Sequence, residues 1–293
     1  MLKTRYRRIT FFFARVIVSL ITWELILPRL GMRQWSLKTR PGRLKKTAVD
    51  FRALAIQMGG VMIKVGQFLS TRADVLPEEI TRELSGLQDE VPPEKFSDIR
   101  RVAESELGGS LENKYLSFDE KPVAAASLGQ VHRARMCRTE TTTEFEDTCQ
   151  NKLCQVVVKI QRPNIEQVIE TDLAALRTVG HWMQRYRPIK KRANVPALLN
   201  EFSRTLYEEI DYNAEGSNAE VFAKNFEELD GIRIPSVIWS HTTKRVLTLE
   251  EVSGVKITDY KAISEAGIAR SEVANRLLDT YLQQIFEDGF TGD

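Results

Sequence analysis

From Asp50 onward apolar residues recur at helical intervals: Phe51, Leu54, Ala55, Met58, Val61, Met62, Val65, Phe68 and Leu69. That spacing predicts a helix with one buried face. Gly60, Lys64, Gln67 and Thr71 fall on a second, polar stripe roughly opposite, so Lys64 and Gln67 share a face. Pro77 opens the next helix, with Glu78 and Glu79 in a first turn where acids complement the dipole. "EKFSDIRRVAESELGG" predicts a third helix, stopped by Gly108 and Gly109. The pattern then turns β-like. "KPVAAASLGQVHRARM" holds a small-residue turn, Cys137 to Gln155 reads as a polar hairpin loop, and "VVVKIQRP" is a β-branched run closed by proline. Two long helices follow, "NIEQVIETDLAALRTVGHWMQRY" and "VPALLNEFSRTLYEEIDYNAEGSNAEVFAKNF". Then come two strands, "IRIPSVIW" and "KRVLTLEEV", and a last amphipathic helix, "SEVANRLLDTYLQQIFEDGF".

Charge divides the chain. Residues 1–46 hold twelve Lys and Arg against the single acid Glu24, while the remainder carries 30 basic and 39 acidic residues, a net −9. A basic arm thus precedes an acidic body, and an anionic membrane surface would attract it. Within the arm, "ITFFFARVIVSLITWELILP" is interrupted by Arg15 and Glu24. Its unbroken apolar run, Val16 to Trp23, is short of the about 20 residues a spanning helix needs. A helix lying in the membrane interface, or a packed core helix, fits this pattern. No groove-reading motif accompanies the charges, so nucleic acid is not an expected partner. Cys137, Cys149 and Cys154 lack zinc-site spacing and read as free thiols of a reducing compartment.

The β-region carries the candidate chemistry. A strand, a small-residue turn, a second strand, a hairpin loop, a third strand ending in Lys159 and then Glu-rich helices follow the order of the phosphate-handling half of a protein kinase. In such folds turn amides approach phosphates, the strand lysine holds them, and a helical glutamate pairs with the lysine.

In fixed order, "KVGQ" (Lys64–Gln67), "AAAS" (Ala124–Ser127), "VVVK" (Val156–Lys159), "EID" (Glu209–Asp211) with "YNAEGSN", and "LTLEEVSG" resemble the signatures of the UbiB atypical kinase-like family, from about Asp50 onward. The resemblance implies an α+β fold: a protein-kinase-like N-lobe with a small antiparallel sheet and an amino-terminal helical extension. It implies that Lys64 and Gln67 roof a nucleotide site, with Gly66 permitting close approach. Ala124, Ala125, Ala126 and Ser127 would stand where other kinases have a glycine-rich loop. Alanine restricts the backbone conformations that glycine allows, so this loop should be stiffer. By the same resemblance Glu215 partners Lys159, Glu209 and Asp211 arrange a metal or hold Lys64, and Glu250 and Val252 lie in the hinge that meets adenine.

The implied cofactor is ATP or ADP with Mg2+, whose ligands are expected mainly outside this sequence. His132, His181 and His241 are the only histidines, and none is followed two residues later by Asp. The family's catalytic loop would come after the segment matching "QQIFEDGF", where only "TGD" remains. The C-lobe is therefore expected to be mostly absent, leaving the chain's own enzymatic activity open and phosphoryl transfer by it alone not expected. The expected divisions are 1–46, a membrane-proximal arm; 47–110, the helical extension; 111–260, the N-lobe with a helical insertion; and 261–293, the first helix of a C-lobe. The implied function is that of the amino-terminal portion of an atypical kinase or ATPase supporting ubiquinone biosynthesis, cytoplasmic and peripheral at the inner face of the membrane. Isoprenoid lipids or quinone-pathway proteins would be its partners. The alternatives are a non-catalytic nucleotide- and lipid-binding regulatory module and a small-molecule phosphotransferase, although the latter has no need of "KVGQ".

Overall fold

The computed structural model describes residues 2–74, 76–88, 91–137, 153–191, 193–227, 229, 231–287 and 289. The basic arm is helical: α1 (Leu2–Ile21) continues through a π-helical turn (Thr22–Ile26) into α2 (Leu27–Arg29). The whole run, Leu2–Arg29, is long and apolar enough by length and composition to cross a membrane. One side of α1 is nevertheless packed, with Ile9 and Phe12 in the helical core. Arg5 forms a two-pronged ion pair with the fully buried Asp172, both bonds 2.6 Å long. Burial pushes the Asp172 carboxyl above its ordinary range, and the hydrogen bonds from Arg5 act against that.

After a turn, α3 (Arg33–Met58) runs without a break through residue 46, so the expected division there falls inside one helix. Gly59 and Gly60, both with positive φ (63° and 53°), end α3 and begin α4 (Val61–Ser70). A residue with a Cβ adopts that conformation only with strain. α5 (Glu78–Ser85), a 3-10 turn (Gly86–Gln88), α6 (Phe96–Leu107) and α7 (Leu111–Lys114) complete the extension. Gly108 caps α6 in the left-handed region.

The sheet is antiparallel. β3 (Gly129–Cys137) pairs with β4 (Leu153–Gln161), β4 with β5 (Val246–Glu250), and β1 (Ser117–Phe118) and β2 (Ala124–Ala125) share the outer edge of β3. Most of the expected polar loop, residues 138–152 with Cys149, lies outside the described residues. Along β4, Val156, Val158 and Ile160 enter a core with α6 and α7, and Lys159 points to the opposite face. In register with Lys159 are Val131 and Leu247.

α8 (Ile165–Gln184), α9 (Arg187–Lys190) and α10 (Val195–Glu209) follow, then α11 (Tyr212–Asn225). The sequence pattern reads the last two as one helix. The break comes at Ile210 and Asp211, where the Asp211 side chain accepts the Ala214 N–H at 3.2 Å and caps α11. The expected strand "IRIPSVIW" is reduced to a bridge between Val237 and Leu249, because Pro235 has no N–H for a ladder. Glu250 N still donates to Ser236 O at 2.9 Å. α12 (Tyr260–Glu265) spans the expected division after residue 260, and α13 (Arg270–Phe286) ends the described helices.

Two glycines separate helix propensity from packing. Gly42 lies within α3 with nothing within 4 Å of where a Cβ would sit, whereas a Cβ on Gly66 would lie 2.2 Å from Leu87 Cδ1 and 3.3 Å from Phe51 Cε1. Gly42→Ala should raise stability by about 0.5–1 kcal/mol. Gly66→Ala should lower it by about 1–2 kcal/mol, since overpacking of a filled core exceeds the helix gain. Urea unfolding of the two variants checks both signs.

Candidate functional site

The end of β4 supplies the centre of the site. Lys159 Nζ lies 2.7 Å from both carboxylate oxygens of Glu215, on the first turn of α11. The Tyr212 ring lies beneath the ammonium, its centroid 4.7 Å from Nζ. The lysine is therefore held from the side by charge and from below by an aromatic face. Tyr212 is almost wholly buried, and its hydroxyl has no hydrogen-bond partner among the described residues. Burial first, then the charges of Glu215 and Glu209, push that hydroxyl far above its ordinary pKa, so it remains protonated. A Cβ on Gly129 would sit 2.3 Å from the Tyr212 oxygen and 3.0 Å from Ile160 O. Glycine at 129 thus lets α11 close on the sheet.

The polar stripe of α4 does not act as one surface. Lys64 Nζ lies 2.7 Å from Glu209 Oε2, at the end of α10. That oxygen is buried and receives no aligned hydrogen bond, so the contact is ionic rather than directional. Gln67 instead donates to Leu87 O at 3.4 Å, within the extension. The close approach expected at Gly66 is made by Leu87 and Phe51, both within the extension. Asp211 is committed to its helix cap. The Glu250 carboxylate bonds with Arg233, and Val252 is exposed beyond the end of β5.

The alanine segment forms a tight hairpin. Ala124 pairs with Val131 and Ala125 with Gln130, and Ala126 N donates to Gly129 O at 2.9 Å. Ser127 and Leu128 form its tip, and both are buried. Their amides donate to no described group. The tip also meets the start of α4, where a Cβ on Gly60 would come 3.7 Å from Ser127 O.

Three further residues, not expected from sequence, support this arrangement. Gln161 is buried and donates to Ile210 O and, at 3.1 Å, to Lys244 O, fixing the α10–α11 break to the start of β5. Arg162 reaches the alanine turn and the segment at Pro92 and Glu94. Gln130 accepts the Glu94 N–H at 2.8 Å, and its amide faces His132 Nε2 at 3.0 Å. The only signal of Gln161 and Arg162 in the sequence is the polar end, "KIQR", of a β-branched strand, and Gln130 has none.

The hydrogen-bond directions fix the charge of His132. The Glu94 N–H requires the Gln130 oxygen, so the Gln130 nitrogen must face His132 Nε2, which then accepts. His132 Nδ1 donates to Asp119 O at 2.8 Å. The neutral ring satisfies every partner, whereas a protonated ring would set two donors against each other. Burial lowers the His132 pKa from its ordinary 6.5.

No three His, Cys, Asp or Glu side chains converge on a metal site among the described residues. Glu209, Asp211 and Glu215 are already engaged by Lys64, Ala214 N–H and Lys159. The described residues therefore do not assemble a magnesium ligand set.

The profile of the ABC1 atypical kinase-like domain matches residues 86–292. ACTIVITY OF BC1 COMPLEX KINASE 8, chloroplastic, from Arabidopsis thaliana is 40% identical over 250 residues, which are 85% of this chain and 31% of that protein. Probable protein kinase UbiB from Xylella fastidiosa (strain M12) is 36% identical over 238 residues, 81% of this chain and 41% of that protein. The chain therefore spans 31–41% of the length of these relatives. Among solved structures, the Rv3197–erythromycin complex from Mycobacterium tuberculosis shares 29% identity, covering 74% of this chain and 51% of that one, with a TM-score of 0.43.

Because the native His132 resists protonation while the unfolded one does not, stability should fall as pH drops below about 6.5, where the unfolded state binds the extra proton. His241, also lowered by burial, adds to the same slope. His132→Gln should flatten part of the loss in urea midpoint between about pH 7.5 and 5; an unchanged slope would assign the effect elsewhere.

Proposed function

The chain belongs to the ABC1 atypical kinase-like family, and from that premise we propose that it binds ATP or ADP through Lys159 and the alanine turn, in the service of isoprenoid quinone metabolism at a membrane surface. The observation that carries the reading is the Lys159–Glu215 pair. Both carboxylate oxygens hold the ammonium at 2.7 Å, on the face of the sheet opposite the α6–α7 core. At half-exposed positions such a pair contributes on the order of 1 kcal/mol or less to stability. Its consequence is positional, because it keeps a charged donor in one place. The amides of Ser127 and Leu128, which donate to no described group, suit phosphate oxygens. Val131 and Leu247, in register on either side of Lys159, offer an apolar flank. The nucleotide would supply the transferable phosphoryl group. The residues described here orient that group and leave metal coordination to others.

Lys159→Ala should weaken ATP affinity about tenfold or more, the scale of a hydrogen bond to a charged group. Glu215 stays part-exposed, so the variant should fold normally. Titration with a fluorescent ATP analogue, alongside a thermal melt, measures both. Equal affinity in the two proteins would remove Lys159 from the site.

Membrane attachment is supported by the hairpin tip between α2 and α3. Ile26, Leu30, Met32, Trp35 and Leu37 are exposed there together with Arg29, Arg33 and Lys38. An apolar tip with basic flanks suits the interface of an anionic leaflet. The chain should sediment with anionic vesicles more than with neutral ones, and less at high salt. The exposed substitutions Leu30→Glu and Trp35→Glu should reduce that binding. Equal partition into both vesicle types would refute the membrane reading.

A further inference from the structure

We propose that Arg162 is a positioning residue for the nucleotide site, fixing the shape of the alanine turn and tying it to the helical extension. The inference rests on the nucleotide reading above. Arg162 is only 6% exposed. Its Nε donates to Ala126 O at 3.2 Å, Nη2 donates to Pro92 O at 2.8 Å, and Nη1 pairs with the Glu94 carboxylate. Its backbone N–H donates to Leu128 O at 3.0 Å. One residue thus holds two carbonyls of the turn, Ala126 on the entering side and Leu128 at the tip.

The turn has reason to need an outside clamp. A two-residue hairpin favours Asn-Gly or a similar pair, which reaches positive φ without strain. Here Ser127 and Leu128 occupy those places, and neither takes a positive φ. Ala126 N reaches Gly129 O, but the Ala126 carbonyl turns away to the guanidinium. Leu128 is anchored in the helical core. Glu94 closes the frame from the other side, since its own N–H is held by Gln130 on β3. The turn is thereby gripped by β4, by the extension and by the core, while the amides of Ser127 and Leu128 donate to no described group. Those two donors can meet phosphate oxygens only where the clamp places them. A lysine at 162 could keep the charge opposite Glu94, but it lacks the planar fork needed to reach Ala126 O and Pro92 O together.

The test compares the full 293-residue chain with Arg162→Lys and Glu94→Gln. Glu94 is part-exposed, so its variant should fold even if the first does not. Two readouts are taken: hydrogen exchange of the peptide covering residues 123–131 without ligand, and the ratio of affinities for fluorescent ATP and ADP analogues. Arg162→Lys should speed exchange in that peptide about tenfold, the scale of a lost charged hydrogen bond, and should shift the ATP:ADP ratio about threefold or more. Glu94→Gln should move both in the same direction by less. Wild-type binding with an unchanged ratio in both variants overturns the inference, as does faster exchange spread evenly over the whole chain. A wild-type chain that binds neither nucleotide overturns the nucleotide reading itself, and with it this role for Arg162.

Discussion

Lys159, Gln161 and Arg162 stand within four residues at the end of a β-branched strand, and each must bring a partner with it out of water. A buried or half-buried polar group without a partner costs more than a typical hydrogen bond returns. Each of the three recruits a different part of the chain. Lys159 takes Glu215 on α11, Gln161 takes the carbonyls of Ile210 and Lys244, and Arg162 takes the alanine turn and the Pro92–Glu94 segment. The polar tail of β4 is therefore the point where sheet, helical insertion and helical extension are set relative to one another.

The helical extension is fixed to the lobe from a second direction. Arg5 pairs with Asp172 on α8 and also donates to Met58 O at 2.6 Å, at the end of α3. That carbonyl immediately precedes the two positive-φ glycines that redirect the chain into α4. A single guanidinium from the arm thus ties α8, which follows β4, to the bend that orients Lys64. Breaking a buried pair of this kind leaves an uncompensated charge, so the arm is part of the folded body even while its outer face stays exposed.

Two ion pairs on the candidate site work differently. Lys159 meets both oxygens of Glu215 at the same distance, and the Tyr212 ring closes beneath it. Lys64 meets one oxygen of Glu209 out of hydrogen-bond alignment. The first pair is held in one geometry, whereas the second leaves Glu209 with unused hydrogen-bonding capacity. Neither contributes much to stability at its exposure; what each fixes is the place of a charge.

The helical glutamate at 215 came from the family resemblance. Local pattern was enough to identify the helical segments of the extension (though not the break at Gly59 and Gly60), the β-branched strand ending in Lys159 and the small-residue turn. These depend on periodicity, breakers and caps within about a dozen residues. The α10–α11 break carried a local signal too, an Asp three residues ahead of the amide it caps, but the continuous apolar stripe outweighed it. The first strand of the last pair is reduced to a bridge because Pro235 removes a donor that the apolar pattern does not register. Arg162, Gln130 and Glu94 had no such signal: their partners lie 36 to 70 residues away in sequence. In sequence they are ordinary polar residues. Only tertiary folding, by burying them beside carbonyls and carboxylates that must also be satisfied, makes them the frame of the site. The direction of Gln67 and the neighbour of Gly66 were decided in the same way, by Leu87 arriving from the 3-10 turn after α5, because which surface meets a helix face depends on what the rest of the chain packs against it.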